Sequence, residues 1–319
     1  MTTPDRLGFG RLSFGGASLG NLFRAVDDDQ AAATLEASWD LGIRYFDTSP
    51  HYGLGLSERR IGEFLHGRPR DEYLLSTKVG RLLEPTPDRS HEPDDTWFHV
   101  PATSRRVWDY SADGIRRSLD DSLARLGVDR VDILYLHDPE QYDVPDAVPG
   151  ALETLAALRD EGLVRAVGVG TSDVGILQNA VEQGDIDLVM VSNRYTLLDQ
   201  PARSALSALC LARGVGIINA GVFNSGLLAT PEPHPDAHFE YGPVPPVMLE
   251  KARRIAAVCA AHGVELPAAA LQYSLRDPAV RTVVVGSADP GEMRQNAERM
   301  TAVIPAELWA DLAARGLAS

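Results

Sequence analysis

Eight times in succession, a short β-rich run gives way to a longer run with helical character. The pairs are 13–21 with 29–42, 44–49 with 57–66, 73–80 with 111–127, and 131–138 with 149–161. They continue as 164–172 with 173–183, 187–195 with 202–213, 214–223 with helices between 247 and 276, and 281–287 with 289–300. In 111–127, Ile115, Leu119, Leu123 and Leu126 share one face, with Arg and Asp opposite, which is the periodicity of an amphipathic helix. Gly127 is placed to end it. Several β-rich runs are apolar almost throughout, as parallel strands covered on both faces are. Eight units of about 35 residues each predict an α/β chain folded as a (β/α)8 TIM barrel, one domain over residues 1–319. A doubly wound sheet is the alternative. It usually leaves a composition break between its halves, and none is visible.

Two gaps interrupt the rhythm: 84–104 after the third β-run and 229–246 after the seventh, both Pro-rich and polar. Loops of that length are uncommon inside compact domains and are generally functional or disordered. Each follows a strand, so each is expected on the C-terminal face of the barrel, where active sites form. Substrate loops are the expectation, and tolerated surface insertions the other reading.

The ends of the β-runs are polar. The second ends in Asp47, the third carries Lys78, the fourth ends in His137, and the fifth ends in Gly170-Thr171. The sixth ends in Asn193 and Tyr195, and the eighth in Ser287. Tyr52 follows Asp47 in a Gly-rich turn. Taken singly, each has a structural explanation: a turn cap for Asp47, a solvated strand end for Lys78, a satisfied polar pair for His137-Asp138, a core aromatic for Tyr52. A barrel brings them to one mouth, where ionisable groups are expensive unless paired or used. A lysine ammonium beside a phenol favours the phenolate, and a carboxylate keeps the lysine charged and placed. The expected result is a Tyr52 that exchanges a proton near neutral pH, with an imidazole to orient a substrate oxygen. That apparatus interconverts an alcohol and a carbonyl, and lacks only a hydride carrier.

Composition narrows the partners. A net charge of −15 is poor footing for nucleic acid or an anionic membrane surface. No apolar run approaches the length of a membrane span, and the N-terminus lacks a basic region followed by an apolar one. Cys210 and Cys259 lie in apolar helical contexts, consistent with reduced thiols and a cytoplasmic location. Nothing in the chain signals an oligomeric state.

The stretch "YFDTSPHYGLGLSERRIG" resembles the Asp-to-Tyr signature of the aldo-keto reductase family, "STKVG" its lysine motif and "YLHD" its histidine motif. The resemblance runs from about Leu7 to Ala297 and implies a catalytic tetrad of Asp47, Tyr52, Lys78 and His137. "VWDYSADGIRRSLDDSLARLGVDRVDILYLHDP", "NRYTLLDQ" and "FNSGLLA" resemble the family's aldose 1-dehydrogenase branch. That branch includes dehydrogenases of L-fucose, D-threo-aldoses and L-galactose, and pyridoxal 4-dehydrogenase.

The family binds NAD or NADP without a Rossmann fold, and no GxGxxG occurs here; the glycines of "VGVGTSDVG" have the wrong spacing. The resemblance implies Thr171 and Asn193 as carboxamide ligands and Phe223 as an aromatic on the nicotinamide. It implies Ser287 and Asn296 at the adenosine end. NADP-preferring members often carry a lysine before that serine and an arginine five residues after it; here those places read Gly286 and Glu292. A glutamate repels a 2′-phosphate and accepts from a ribose hydroxyl, which favours NAD, while Arg294 offers a phosphate partner two residues on. Trp97, Phe98, Trp108 and Tyr110 are candidates to wall the pocket.

The implied activity is hydride transfer on a small polyol or carbonyl substrate, most simply oxidation of an aldose to a lactone. NADPH-dependent reduction of a small aldehyde or ketone and a cofactor-binding scaffold without activity are the alternatives. A metal-dependent barrel hydrolase would need clustered ligands. The one suggestive spacing, His234 to His238, falls in the Pro-rich loop, so no metal is expected.

Overall fold

The computed structural model describes residues 2–141 and 147–318. Eight parallel strands form a closed barrel: Leu12–Gly15, Tyr45–Asp47, Leu74–Val79, Ile133–His137, Ala166–Thr171, Leu188–Ser192, Gly216–Ala220 and Val280–Gly286. Each neighbours the next in chain order, and the eighth closes onto the first, with Phe14 opposite Val285. The surrounding helices are Asp28–Asp40, Leu56–Leu65, Ala112–Leu126, Ala147–Asp160, Val174–Gln183, Ala205–Arg213, Pro246–Ala261, Leu266–Tyr273 and Pro290–Thr301. This is the (β/α)8 order that the alternation predicts. Helix Ala112–Leu126 shows why the pattern reads well. Ser111 caps it by accepting from Gly114 N, and Gly127 ends it in the left-handed region. Ile115, Leu119 and Leu126 are buried, with Leu123 at the margin of the core.

The structure departs from the expected elements within three of the segments and outside the eight units. Within 13–21, only the start is strand; Gly16–Gly20 turns into a 3-10 helix. The glycines there permit a backbone approach that side chains would block. Gly53 (φ 62°) meets this segment so closely that a Cβ on it would lie 2.3 Å from Gly20 O. The 84–104 gap is not wholly loop, because its flanks pair as an antiparallel ribbon, Arg81–Pro85 with Ser104–Trp108. A smaller pair, His238–Phe239 with Gly242–Pro243, forms inside 229–246. Two further helices, Thr3–Leu7 and Ala306–Ala314, lie outside the eight predicted units.

The barrel interior is filled by Tyr45, Leu74, Ile133, Tyr135, Leu188, Met190, Ile218 and Val284, and Leu7 joins them. Phe9 packs edge-on against Tyr45 at 5.1 Å. The N-terminal segment therefore plugs the end of the barrel opposite the polar strand ends. In the fifth strand, a Cβ on Gly168 would lie 2.1 Å from Leu188 O and 3.1 Å from the Tyr135 ring, so that glycine makes room for a barrel-filling phenol. Cys210 and Cys259 are buried free thiols, each pushed up to about 12 by burial. Among the described residues no single helix is long and apolar enough to cross a membrane.

Candidate active site

The second strand ends on Asp47, opposite Ser76 of the third, and two residues on Lys78 faces the same side of the sheet. Lys78 Nζ donates to Asp47 Oδ2 at 2.6 Å, to Thr48 O at 3.0 Å and to Tyr52 Oη at 3.0 Å. The ammonium is only 2% exposed, so three acceptors replace its water shell. Burial works against the charged lysine, but Asp47 and Tyr52 outweigh it and hold Lys78 above its ordinary value. Burial pushes the Asp47 carboxyl up, against the pull of Lys78 and Ser76. Ser76 Oγ donates to Asp47 Oδ1 at 2.6 Å, so both carboxylate oxygens are engaged.

Tyr52 corrects the sequence argument. Lys78 does pull its phenol down, but burial is the larger effect and leaves Tyr52 above its usual value. The free site therefore holds a protonated phenol at neutral pH.

His137 ends the fourth strand with its ring 5.9 Å from that of Tyr52, at 89°. Its carbonyl accepts from Tyr110 Oη at 2.7 Å, so Tyr110 supports the site from beneath. His137 Nδ1 lies 3.1 Å from Ser49 Oγ, which already accepts from His51 N at 3.1 Å. With one of its lone pairs taken, the serine has its own proton to give to Nδ1, the arrangement that goes with the imidazole proton on Nε2. Burial, with Arg81 and Lys78 nearby, pushes His137 well below the usual range, so the ring is neutral. Its Nε2 faces Asp138 Oδ2 at 3.4 Å. Asp138 also takes Arg81 at 2.5 Å, and Arg81 lies over the Trp108 ring at 4.3 Å.

Ser49, Ser76, His51 and Arg81 were not legible as site residues. For Ser76 a signal existed: it lies two residues before Lys78, on the same strand face.

The two long loops meet over this mouth. Phe98 lies 6.0 Å from Tyr52 and 5.3 Å from His51. Trp97, 51% exposed, stacks on Tyr241 at 5.1 Å. Arg106, on the ribbon, grips Asp94 with two 2.8 Å bonds and donates to His51 O at 3.1 Å. The ribbon thus fixes the residue before Tyr52. His238 stacks on Phe23 at 4.4 Å.

Of the remaining predicted residues, Thr171, Asn193, Phe223 and Ser287 end or follow the fifth to eighth strands, and Glu292, Arg294 and Asn296 lie on the helix Pro290–Thr301. Tyr195 turns away, donating to Asp277 at 2.6 Å and packing on Tyr273, so it belongs to the outer core. Thr171 Oγ accepts from Asp173 N at 3.0 Å. Asn193 sits at φ 60°, and its buried Oδ1 has no hydrogen-bond partner among the described residues; the same holds for Asn224 Oδ1. Unpaired buried acceptors at the sixth and seventh strand ends suit an amide N–H2 donor such as a carboxamide. Phe223 is partly buried against the main core. Ser287 is buried and donates to Glu292 at 2.6 Å, Asn296 is buried, and Arg294 is exposed. Asp289 caps the helix Pro290–Thr301, its Oδ1 accepting from Gly291 N and Glu292 N.

A strand-borne Asp–Lys pair holding a tyrosine at a barrel mouth has counterparts. Residues 11–315 match the aldo/keto reductase family. The chain belongs to that family. It is 52% identical to the D-threo-aldose 1-dehydrogenase of a Pseudomonas species over 304 residues, 95% of this chain and 92% of that one. It is 37% identical to the pyridoxal 4-dehydrogenase of Microbacterium luteolum, covering 97% of this chain and 94% of the relative. An aldo-keto reductase from Bacillus halodurans, solved in its holo form, superposes with a TM-score of 0.76 at 26% identity, covering 97% and 92%. The protein is therefore an NAD(P)-dependent oxidoreductase that interconverts an alcohol and a carbonyl.

Proposed function

We propose that this enzyme is an aldose 1-dehydrogenase that oxidises a cyclic aldose at C1 to its lactone with NAD. The observation that carries the reading is the Asp47–Lys78–Tyr52 array, with a neutral His137 beside the phenol, in a chain 52% identical to a D-threo-aldose 1-dehydrogenase. Tyr52 Oη takes the proton of the C1 hydroxyl. The acceptor in that step is the Tyr52 phenolate, which Lys78 stabilises and which the transfer converts to the phenol, and Asp47 keeps Lys78 charged and aimed. His137 Nε2–H donates to the substrate oxygen and orients C1. When bound, the nicotinamide supplies the hydride acceptor.

Asn193 and Thr171 would hold its carboxamide, Phe223 would lie against its ring, and Ser287, Glu292 and Asn296 would meet the adenosine end. The preference for NAD rests on charge. Glu292 and Asp289 put two carboxylates at the start of helix Pro290–Thr301, and Asp289 already occupies its first amides. That is a poor seat for a 2′-phosphate. Arg294, two residues on from Glu292, is the candidate to offset them. The location we infer is cytoplasmic, from the two buried free thiols.

A second reading has one observation in its favour. Burial keeps Tyr52 protonated at neutral pH, the state that reduction of a carbonyl needs. Incubation with NAD or NADP and a panel of aldoses, with the product identified by NMR, separates the two. The proposal expects a lactone, faster with NAD. Turnover only of aldehydes or ketones with NADPH would reject it.

A further inference from the structure

The aldose reading leaves unexplained three polar groups around the mouth that the proton chemistry does not use. Asp138 follows His137 at φ 43°, a left-handed conformation that turns its side chain off the strand line. Its carboxylate is 22% exposed, 3.4 Å from His137 Nε2, and is held by Arg81, itself only 2% exposed. Its charge acts on Tyr52 and on Tyr241 of the loop 229–246. On the other side, His51 lies with its ring 5.8 Å from His137 and 6.2 Å from Tyr52. Its buried Nδ1 has no hydrogen-bond partner among the described residues. Burial and the cations Arg81, Arg106 and Lys78 push it down to about 2, so it stays neutral. Arg106 fixes its backbone and Phe98 its ring edge.

A held but partly open carboxylate 3.4 Å from His137 Nε2, and an unpaired nitrogen on an imidazole whose ring lies 6.2 Å from that of Tyr52, are costly arrangements for a site that takes an apolar aldehyde. They suit a ligand with several hydroxyls on the carbons next to the reacting one. We infer that Asp138 and His51 are specificity-determining residues that accept hydrogen bonds from the ring hydroxyls of the substrate. They would make the enzyme select polyhydroxylated substrates over simple carbonyl compounds. This inference rests on the aldose reading. Asp138 is suited to the stronger contact, since a charged acceptor gives the larger discrimination against a substrate lacking the donor.

The test compares two reactions in the same variants: oxidation of L-fucose, and reduction of 4-nitrobenzaldehyde, which has no hydroxyls. For Asp138→Asn the expected result is a fall of about 10- to 100-fold in kcat/KM for L-fucose, mostly in KM, with aldehyde reduction within about threefold of wild type. Retained aldehyde turnover also shows that the variant folds, although Arg81 has lost its counter-charge and keeps Gln141. His51→Phe, which leaves the Arg81–Asp138 pair intact, should show the same selective loss at about tenfold. Equal losses on both substrates would overturn the inference, because Asp138 and His51 would then serve His137 or the fold. No loss on L-fucose would overturn it as well. Wild-type reduction of the aldehyde without oxidation of any aldose would instead reject the aldose reading, and this inference with it.

Discussion

Replacing Asp47 by Asn keeps the shape of the second strand end and removes one charge. Lys78 Nζ then lies 2% exposed with a carbonyl and a phenol for partners, and no counter-charge. Breaking a buried pair from one side costs about 3–5 kcal/mol. The structure sets a ceiling near the top of that range, because the stranded lysine can shed its proton. Deprotonating a lysine of ordinary pKa, about 10.4, at pH 7 costs about 4.6 kcal/mol. In the wild type, Asp47 holds Lys78 above its ordinary value, so the pair's contribution is constant from pH 7 to 9 and is lost only above that range. In the variant, the folded pKa of Lys78 falls below the unfolded value. Stability is then lost as pH drops and regained as it rises, by up to about 1.4 kcal/mol per pH unit. Urea unfolding of both proteins at pH 7, 8 and 9 measures the gap. The expectation is about 3–4.6 kcal/mol at pH 7, narrowing by up to about 2.7 kcal/mol at pH 9. A gap below about 1 kcal/mol, or one that does not change with pH, would refute the view that Asp47 exists to keep a buried ammonium charged.

Three further outcomes follow from the same geometry. Tyr52→Phe leaves Lys78 its bonds to Asp47 and Thr48, so stability should change by about 1 kcal/mol or less while turnover falls about 10²- to 10⁴-fold; activity within tenfold of wild type would remove Tyr52 from its role. His51 and His137 are both held neutral, so stability is intact above about pH 6.5 and falls below it, as the unfolded chain takes up protons the folded one refuses. The two together supply up to about 2.7 kcal/mol per pH unit, less for His51 in proportion to its exposure, and His51→Phe should flatten the slope seen by urea unfolding between pH 7 and 5. Glu292→Ala should shift the ratio of NADPH to NADH affinity, read by quenching of tryptophan fluorescence, about tenfold toward NADPH; an unchanged ratio would show that Glu292 does not exclude the phosphate.

The barrel was legible because its signals are local and repeated. Each strand is an apolar run, and each helix shows its stripe and often its cap, as Ser111 and Gly127 do. Thr3–Leu7 is too short to show a helical period, and the Arg81–Trp108 ribbon is polar enough to read as loop. Asp47, Tyr52, Lys78 and His137 were legible because charged groups at strand ends have few structural reasons to be there. The state of Tyr52 was not, since the outcome depends on how burial compares with one nearby ammonium, and burial depends on loops the sequence does not fold. Tyr195 was misplaced for a related reason: only the tertiary structure puts Asp277 within reach of its hydroxyl. Ser49 and His51 are ordinary residues in sequence. They acquire a role only when the turn after the second strand sets them against the fourth.

The central claim is that this site removes hydride from C1 of an aldose, and isotope transfer tests it most directly. L-Fucose carrying deuterium at C1 would be incubated with the enzyme and NAD, and the products followed by NMR. The account predicts monodeuterated NADH and an unlabelled lactone, both absent with Tyr52→Phe. Reduced cofactor without deuterium, or a product that keeps deuterium at C1, would contradict it.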